Sequence, residues 1–390
     1  MLNNGLFAKN KYLNIYLRVT NFLSVLFVRP FLKSTTFKKS PEKILLCNIA
    51  HLGDLVLNTC VLERVKNEFP TAEISFLCSS SAKNIIDGHP LIHKVYCFDH
   101  WKLDRTSSPF INKLTKSIKS AISLYIKLKD EKFDVAIDFY YFYPNSILLL
   151  SLANIPVRIG YTSGGFGSLL SVPINWRESS NSVMSYHHAL VDKLTGKNEV
   201  GVLYKPNIKP ITNEQRQYVN GLIKHAGLSK FVIFHCGAGN SQKIWESAKW
   251  SKLAECVSTL NFAIVFTGSG FADQKLIDDI IREAKYTNFC NKLDLDGLSY
   301  LVEESEFVVC ADTLIVHLAA AFNKPTVVIS TFKGSSMQFA PSSNVSFDFR
   351  EYDNIRDIDV KVVYDKIAIL LTKSGLIKQT AVNSIHKISG

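Results

Sequence analysis

The chain has 390 residues, 47% hydrophobic and 20% charged, with a formal net charge of +11. That length exceeds one ordinary core and suits two domains, and the composition excludes global disorder. Residues 1–41 hold seven Lys or Arg and no Asp or Glu, whereas the remainder is nearly balanced, with 38 basic residues against 34 acidic. The basicity therefore belongs to an N-terminal arm rather than to a nucleic-acid-binding core, and no nucleic-acid motif accompanies it.

In chain order, the first element is that arm, residues 1–40. Residues 11–32, KYLNIYLRVTNFLSVLFVRPFL, place Lys11, Asn14, Arg18, Asn21 and Arg29 on one helical stripe, with apolar residues over most of the rest. The run is too interrupted to span a bilayer, and no cleavage site follows it. Two uses fit it. It lies in an anionic membrane surface through residues 9–39, or it packs on the protein's own core.

From Lys43 strands and helices alternate. KILLCNI (43–49), EISFLCS (73–79), KVYCF (94–98) and FDVAIDF (133–139) read as strands, with helical spacing at 55–69 and 111–130. A linker rich in Gly, Lys, Pro and Asn follows at 196–213. The grammar then restarts with strands at 231–237, 262–268, 307–312 and 325–330 and helices at 246–260, 272–285 and 314–322. The reading is α/β: two Rossmann-like domains, 41–200 and 201–375, whose parallel sheets face each other across a cleft, and a polar tail at 376–390. Eight cysteines lie outside any CxxC pairing, several in apolar runs, which suits buried small hydrophobes in a reducing compartment. Metal ligands at short spacing are lacking, so no metal is expected.

Four segments carry candidate chemistry. IAHLGDLVLNTC (49–60) sets His51, Gly53 and Asp54 at a strand-to-helix turn; on local evidence alone Asp54 reads first as a helix cap and His51 as a loop histidine. HCGAGNSQKIWESAKW (235–250) offers Gly237, Gly239 and Lys243 before a helix, an arrangement that suits a pyrophosphate, although Lys243 read alone is a solvated lysine. TGSGFAD (267–273) puts Asp273 in reach of ribose hydroxyls or at an ordinary helix start. ADTLIVH (311–317) brings Asp312, Thr313 and His317 to the ligand edge of a strand, with capping and structural burial as the alternatives.

Together, the GD turn, RIGY (158–161), K-x-W (243–245), TGSG and ADT-x3-HLAAA-x3-PT resemble the glycosyltransferase family 9 heptosyltransferases over about residues 43–345. The resemblance implies a GT-B fold and inverting, metal-independent transfer of heptose from ADP-heptose to the lipopolysaccharide or lipooligosaccharide core. It implies no cofactor beyond the nucleotide-sugar donor. Asp54 would be the catalytic base, with His51, Gly53 and Arg158 on the acceptor side. Lys243, Asp312, Thr313, His317, Gly237 and Gly239 would serve the donor, with Asp273 at its ribose and Leu293 at its adenine. The partners implied are a nucleotide sugar, a lipid-linked oligosaccharide and an anionic membrane surface, with no nucleic acid. The expected location is cytoplasmic, on the inner face of a bacterial inner membrane. Two departures stand out: Leu314 replaces the family's glycine after Asp-Thr, and Glu246 follows K-x-W where proline is usual. Leu314 keeps open a different nucleotide sugar or glycan acceptor, and a non-catalytic sugar- or nucleotide-binding protein is the third reading.

Overall fold

A computed structural model of the chain describes residues 11–32, 40–104, 106–176, 182–197, 205–282, 286–331, 346–347, 349 and 351–377. The expected arm at 1–10 and 33–39, part of the linker (198–204) and most of the polar tail lie outside the described residues. The chain divides into two compact units, residues 1–209 and 210–390.

The first unit contains α1 (Lys11–Phe27), β1 (Lys43–Asn48), α2 (Leu52–Asn58), α3 (Leu62–Glu68), β2 (Glu73–Cys78), β3 (Lys94–Cys97), α4 (Phe110–Glu131), β4 (Val135–Asp138), α5 (Ile147–Leu152), β5 (Val157–Tyr161), β6 (Val172–Ile174) and α6 (Val183–Thr195). Its six strands are all parallel, in the order β3-β2-β1-β4-β5-β6. The strands are apolar on both faces because helices cover both, which is why KILLCN shows a continuous run rather than an alternation. The order reverses between β1 and β4, so the turns after these strands flank the switch point where such sheets bind ligands.

The second unit repeats the plan with α7 (Asn213–His225), β7 (Phe231–His235), α8 (Ser247–Ser258), β8 (Ala263–Thr267), α9 (Gly270–Ile281), β9 (Thr287–Asn288), α10 (Leu295–Glu304), β10 (Val308–Ala311), α11 (Leu314–Ala321), β11 (Thr326–Ile329), β12 (Ser346–Phe347) and α12 (Val360–Lys373). These six strands are also parallel, in the order β12-β11-β10-β7-β8-β9, with the switch between β7 and β10. Phe234, Trp245, Trp250, Phe266, Phe307 and α12 share one buried cluster.

Several elements depart from the expectation. The helix expected at 55–69 begins at Leu52, because the His51 side chain and the Asp54 carboxylate form a reciprocal cap on its first turn. It then breaks into a 3-10 turn at Thr59–Val61 before α3. RIGY lies within a fully buried strand, β5. The elements α5, β6, α6, α7, α10 and α12 had no sequence-based expectation.

Candidate active site

In the second unit, β7 and β10 are neighbours, and each delivers one half of a polar cluster. After β7 the chain runs through Gly237 and Gly239 into a 3-10 turn at Ser241–Lys243. Trp245, fully buried, donates its indole N–H to the Ile358 carbonyl at 3.0 Å and packs edge-on against Trp250. That anchor sits two residues past Lys243 and fixes where the lysine leaves the core. After β10, Asp312 lies just before α11. Its Oδ2 accepts a hydrogen bond from Lys243 Nζ at 2.6 Å, with both side chains partly exposed. Asp312 thus orients an ammonium group rather than presenting a bare carboxylate.

His317 follows on α11, buried, its ring held neutral. Burial pushes its pKa down to about 4, with Asp312 pulling up and Lys243 pushing down as lesser causes. The His317 Nδ1 and the Thr313 hydroxyl are buried and have no hydrogen-bond partner among the described residues. Buried polar atoms cost about 1–3 kcal/mol each when unpaired. Two of them within five residues, beside an ion pair and a helix start, mark a place prepared for a polar ligand.

Thr313 also lines an adjoining cavity of about 350 Å³, together with His235, Asp273, Phe289, Leu293 and Leu314. His235 Nδ1 meets the Thr267 hydroxyl at 2.9 Å, and burial lowers the pKa of this histidine to about 4. Asp273 Oδ2 accepts from the Ser269 N–H at 2.9 Å. The Asp273 carboxylate occupies the space a Cβ on Gly237 would need. The absent side chain of Gly237 makes room for Asp273. Gly237 and Gly239 do not line the cavity, whereas Asp273, Leu293 and Thr313 do.

In the first unit, the turn after β1 is tightly pinned. The Asn48 carboxamide oxygen accepts from Ala50 N at 2.9 Å, its Nδ2 donates to Asn58, and Asn58 in turn meets the buried His187 ring at 2.9–3.0 Å. Burial depresses His187 to about 3, so this ring is a neutral structural group. Asp54 accepts from the His51 N–H at 3.1 Å. After β4, buried Asp138 accepts from Ser146 N at 2.7 Å and Ser146 Oγ at 2.5 Å, and burial raises its pKa to about 6. This holds the loop carrying Tyr141, whose phenol is pushed up by burial first and by the Asp54 charge second.

Arg158 requires a correction. It is 4% exposed, and its guanidinium donates to the carbonyls of Leu169, Ile155 and Pro156. Its donors hold the backbone on either side of β5, so it is a scaffold residue and not an acceptor contact.

The family model described as glycosyltransferase family 9 (heptosyltransferase) matches residues 121–349. The chain belongs to glycosyltransferase family 9. It is therefore an enzyme of the glycosyltransferase class. Lipopolysaccharide heptosyltransferase 3 of Escherichia coli is 23% identical over 307 residues, covering 76% of this chain and 85% of that protein. The lipopolysaccharide core heptosyltransferase OpsX of Haemophilus influenzae is 19% identical over 79% of this chain and 84% of its own length. Among solved structures, the family 9 glycosyl transferase of Veillonella parvula superposes with a TM-score of 0.74 at 16% identity, covering 87% of this chain and all of that one. E. coli ADP-heptose lps heptosyltransferase II gives 0.68 at 18%, covering 85% and 99%. The fold is GT-B.

The glycosyltransferase also has a cavity of about 550 Å³ in its first unit, where His51 meets Ser80, Asp99, His100, Leu103 and Lys116. Sequence reading missed all of these but His51. They converge because β2 and β3 end in register, Cys78 opposite Cys97, which sets loops 79–81 and 99–101 side by side. Ser80 N then donates to Asp99 Oδ1 at 2.8 Å. Neither segment carries a motif, so only pairing reveals the site. No group of three or more His, Cys, Asp or Glu side chains able to hold a metal ion occurs among the described residues.

Proposed function

We propose that this glycosyltransferase moves a heptose from ADP-heptose onto the lipopolysaccharide or lipooligosaccharide core with inversion. The observation that carries the donor half is the pair of orphaned polar atoms, Thr313 Oγ1 and His317 Nδ1, beside the Lys243–Asp312 pair. Lys243 and the amides opening α11 stabilise negative charge on the departing diphosphate. Asp312 keeps the lysine in place. Asp273 and Leu293, on the wall of the neighbouring cavity, take the ribose and the adenine. Asp54 removes the acceptor proton as the hydroxyl attacks the anomeric carbon, and that proton leaves on the carboxylate. The proposal uses no cofactor or metal, since cationic and amide donors meet the diphosphate charge.

The acceptor is lipid-linked in this reading, and the enzyme lies on the inner face of the inner membrane. α1 supports that placement. Tyr12, Ile15, Tyr16, Val19, Phe22, Leu23, Leu26 and Phe27 all face outward. Asn21 and Ser24 face inward and meet Ser168 at 3.0 and 3.5 Å. A helix that spends polar groups on its own protein and shows apolar ones to the outside is arranged for an amphiphilic surface. Among the described residues no helix is long and apolar enough to cross a membrane.

A different donor sugar is the second reading. It rests on Leu314, whose side chain lines the cavity at the start of α11. The deciding experiment is mass spectrometry of core oligosaccharide from a strain lacking the protein, paired with donor turnover in vitro. A core short of one heptose and turnover of ADP-heptose are expected. An intact core, or turnover of another nucleotide sugar alone, overturns the assignment.

A further inference from the structure

The helix α4 carries its apolar residues on the wrong side for a core helix. Its inner face is Ser117, Leu124 and Leu128, and the two leucines enter the sheet's core cluster. Its outer face holds Ile111, Ile118, Ile122 and Ile126, each at least half exposed. The spacing of seven, four and four residues puts them in one row along the helix. Single exposed apolar residues need no explanation, but an aligned row of isoleucines does. Residues 110–129 also contain five lysines and no acid. Lys119 and Lys127 lie exposed along one shoulder of the row. This combination complements a negatively charged amphiphilic surface.

The row is connected to α1. Tyr16 of α1 meets Tyr143 ring to ring at 5.5 Å. Tyr143 meets His100 at 5.6 Å, His100 meets Trp101 at 5.5 Å, and Trp101 meets Phe110, the first residue of α4, at 5.3 Å. In the same region His100, Leu103, Asp104 and Thr106, with Lys116 of α4, line one wall of the first unit's cavity.

We propose that α4 is a second bilayer-contacting helix, its isoleucine row entering the interface of an anionic membrane with lysines at the headgroups. The aromatic chain couples it to α1 and brings the wall of the cavity close to the lipid. The occupant is a lipid surface, and the contact does not depend on which sugar is transferred. It shares only the bilayer with the preceding reading, so the two helices are tested apart.

The test floats the full chain with vesicles of phosphatidylcholine, and of phosphatidylcholine with one quarter phosphatidylglycerol. Wild type should partition to the anionic vesicles, and I118S/I122S/I126S should lose at least about tenfold of that partitioning with an unchanged circular dichroism spectrum. A full chain carrying Phe22→Ser and Leu26→Ser in α1 should retain weaker binding that the triple substitution then removes. Should the triple variant misfold, Ile122→Asn alone is expected to lose a few-fold. Equal flotation of wild type and the Ile variants overturns the proposal, as does binding indifferent to phosphatidylglycerol. It is also overturned if, without vesicles, wild type sediments as a dimer that the triple substitution dissolves, since a second copy then covers the row.

Discussion

The turn after β1 and the turn after β10 each flank the switch point of their own sheet, in two similar sheets, yet they treat their polar groups differently. In the first, Asn48, Asn58, His51 and Asp54 are tied to one another and to the backbone. In the second, Thr313 and His317 each retain a buried atom with no hydrogen-bond partner among the described residues, and Lys243 pairs with Asp312 at 2.6 Å. One turn is built to hold its own shape. The other is left incomplete in a way that a diphosphate would complete. The difference explains why Asp54 is hard to distinguish from a cap: here it is a cap, and any chemistry it performs is added to that duty.

The largest effect should come from separating those two duties. Asp54→Asn keeps an acceptor for the His51 N–H but cannot take a proton. Turnover should fall by roughly 10²–10⁴ fold, the range of general base catalysis, with little change in melting temperature. Asp54→Ala should lose the same activity and also destabilise the unit by about 1 kcal/mol through loss of the cap. If Asp54→Asn retains wild-type turnover, the residue is a cap alone.

Lys243→Ala comes next. Removing a cation from a developing oxyanion costs roughly 10²–10³ fold in turnover, and here it also leaves Asp312 unneutralised where the diphosphate binds. Binding of ADP, read by calorimetry, should weaken with it. Lys243→Arg should recover only part, because the 2.6 Å pairing geometry with Asp312 is set for an ammonium.

Legibility followed the same division. Motifs with fixed spacing were readable: strands β1, β7, β8 and β10, and the segment Asp312–His317, each announce themselves in consecutive residues. The cavity beside His51 was not, since Ser80, Asp99 and Lys116 meet only through strand register and one helix face. Arg158 shows the opposite error. RIGY is distinctive in sequence, but its arginine is distinctive because it binds carbonyls inside the fold. Gly237 follows a strand end, and the space it leaves for Asp273 depends on a residue 36 positions away. The outward turn of α1 and α4 was similarly hidden, because periodicity gives an apolar face and not the side on which the protein lies.

Thr313→Val should test the incompleteness of the second turn directly. The substitution is close in shape and removes the orphaned hydroxyl. An unfilled turn that carries a penalty should become more stable, by up to about 1 kcal/mol, while ADP affinity falls by about fivefold to tenfold. A loss of stability would mean that the hydroxyl has a partner in the free enzyme, and the contrast between the two turns would weaken.

A pH dependence is shared by both turns. His187 near the first and His235 and His317 at the second are buried neutral, with pKa values lowered to about 3, 4 and 4 against 6.5 for the free side chain. Between pH 6.5 and 4 the unfolded chain binds these protons and the folded chain does not, so stability must fall as the pH falls through that window. Asp138 acts in the opposite sense, its carboxyl raised to about 6, so from about pH 6 down to 3.8 the folded state binds the proton that the unfolded state lacks. Three histidines outweigh one carboxyl, and the melting temperature should decline from pH 7 to pH 5. Saturating ADP separates the turns. If the diphosphate completes the second, its protective effect should be lost in His317→Phe and kept in a His187→Gln variant, whose fault lies in the turn that already satisfies itself.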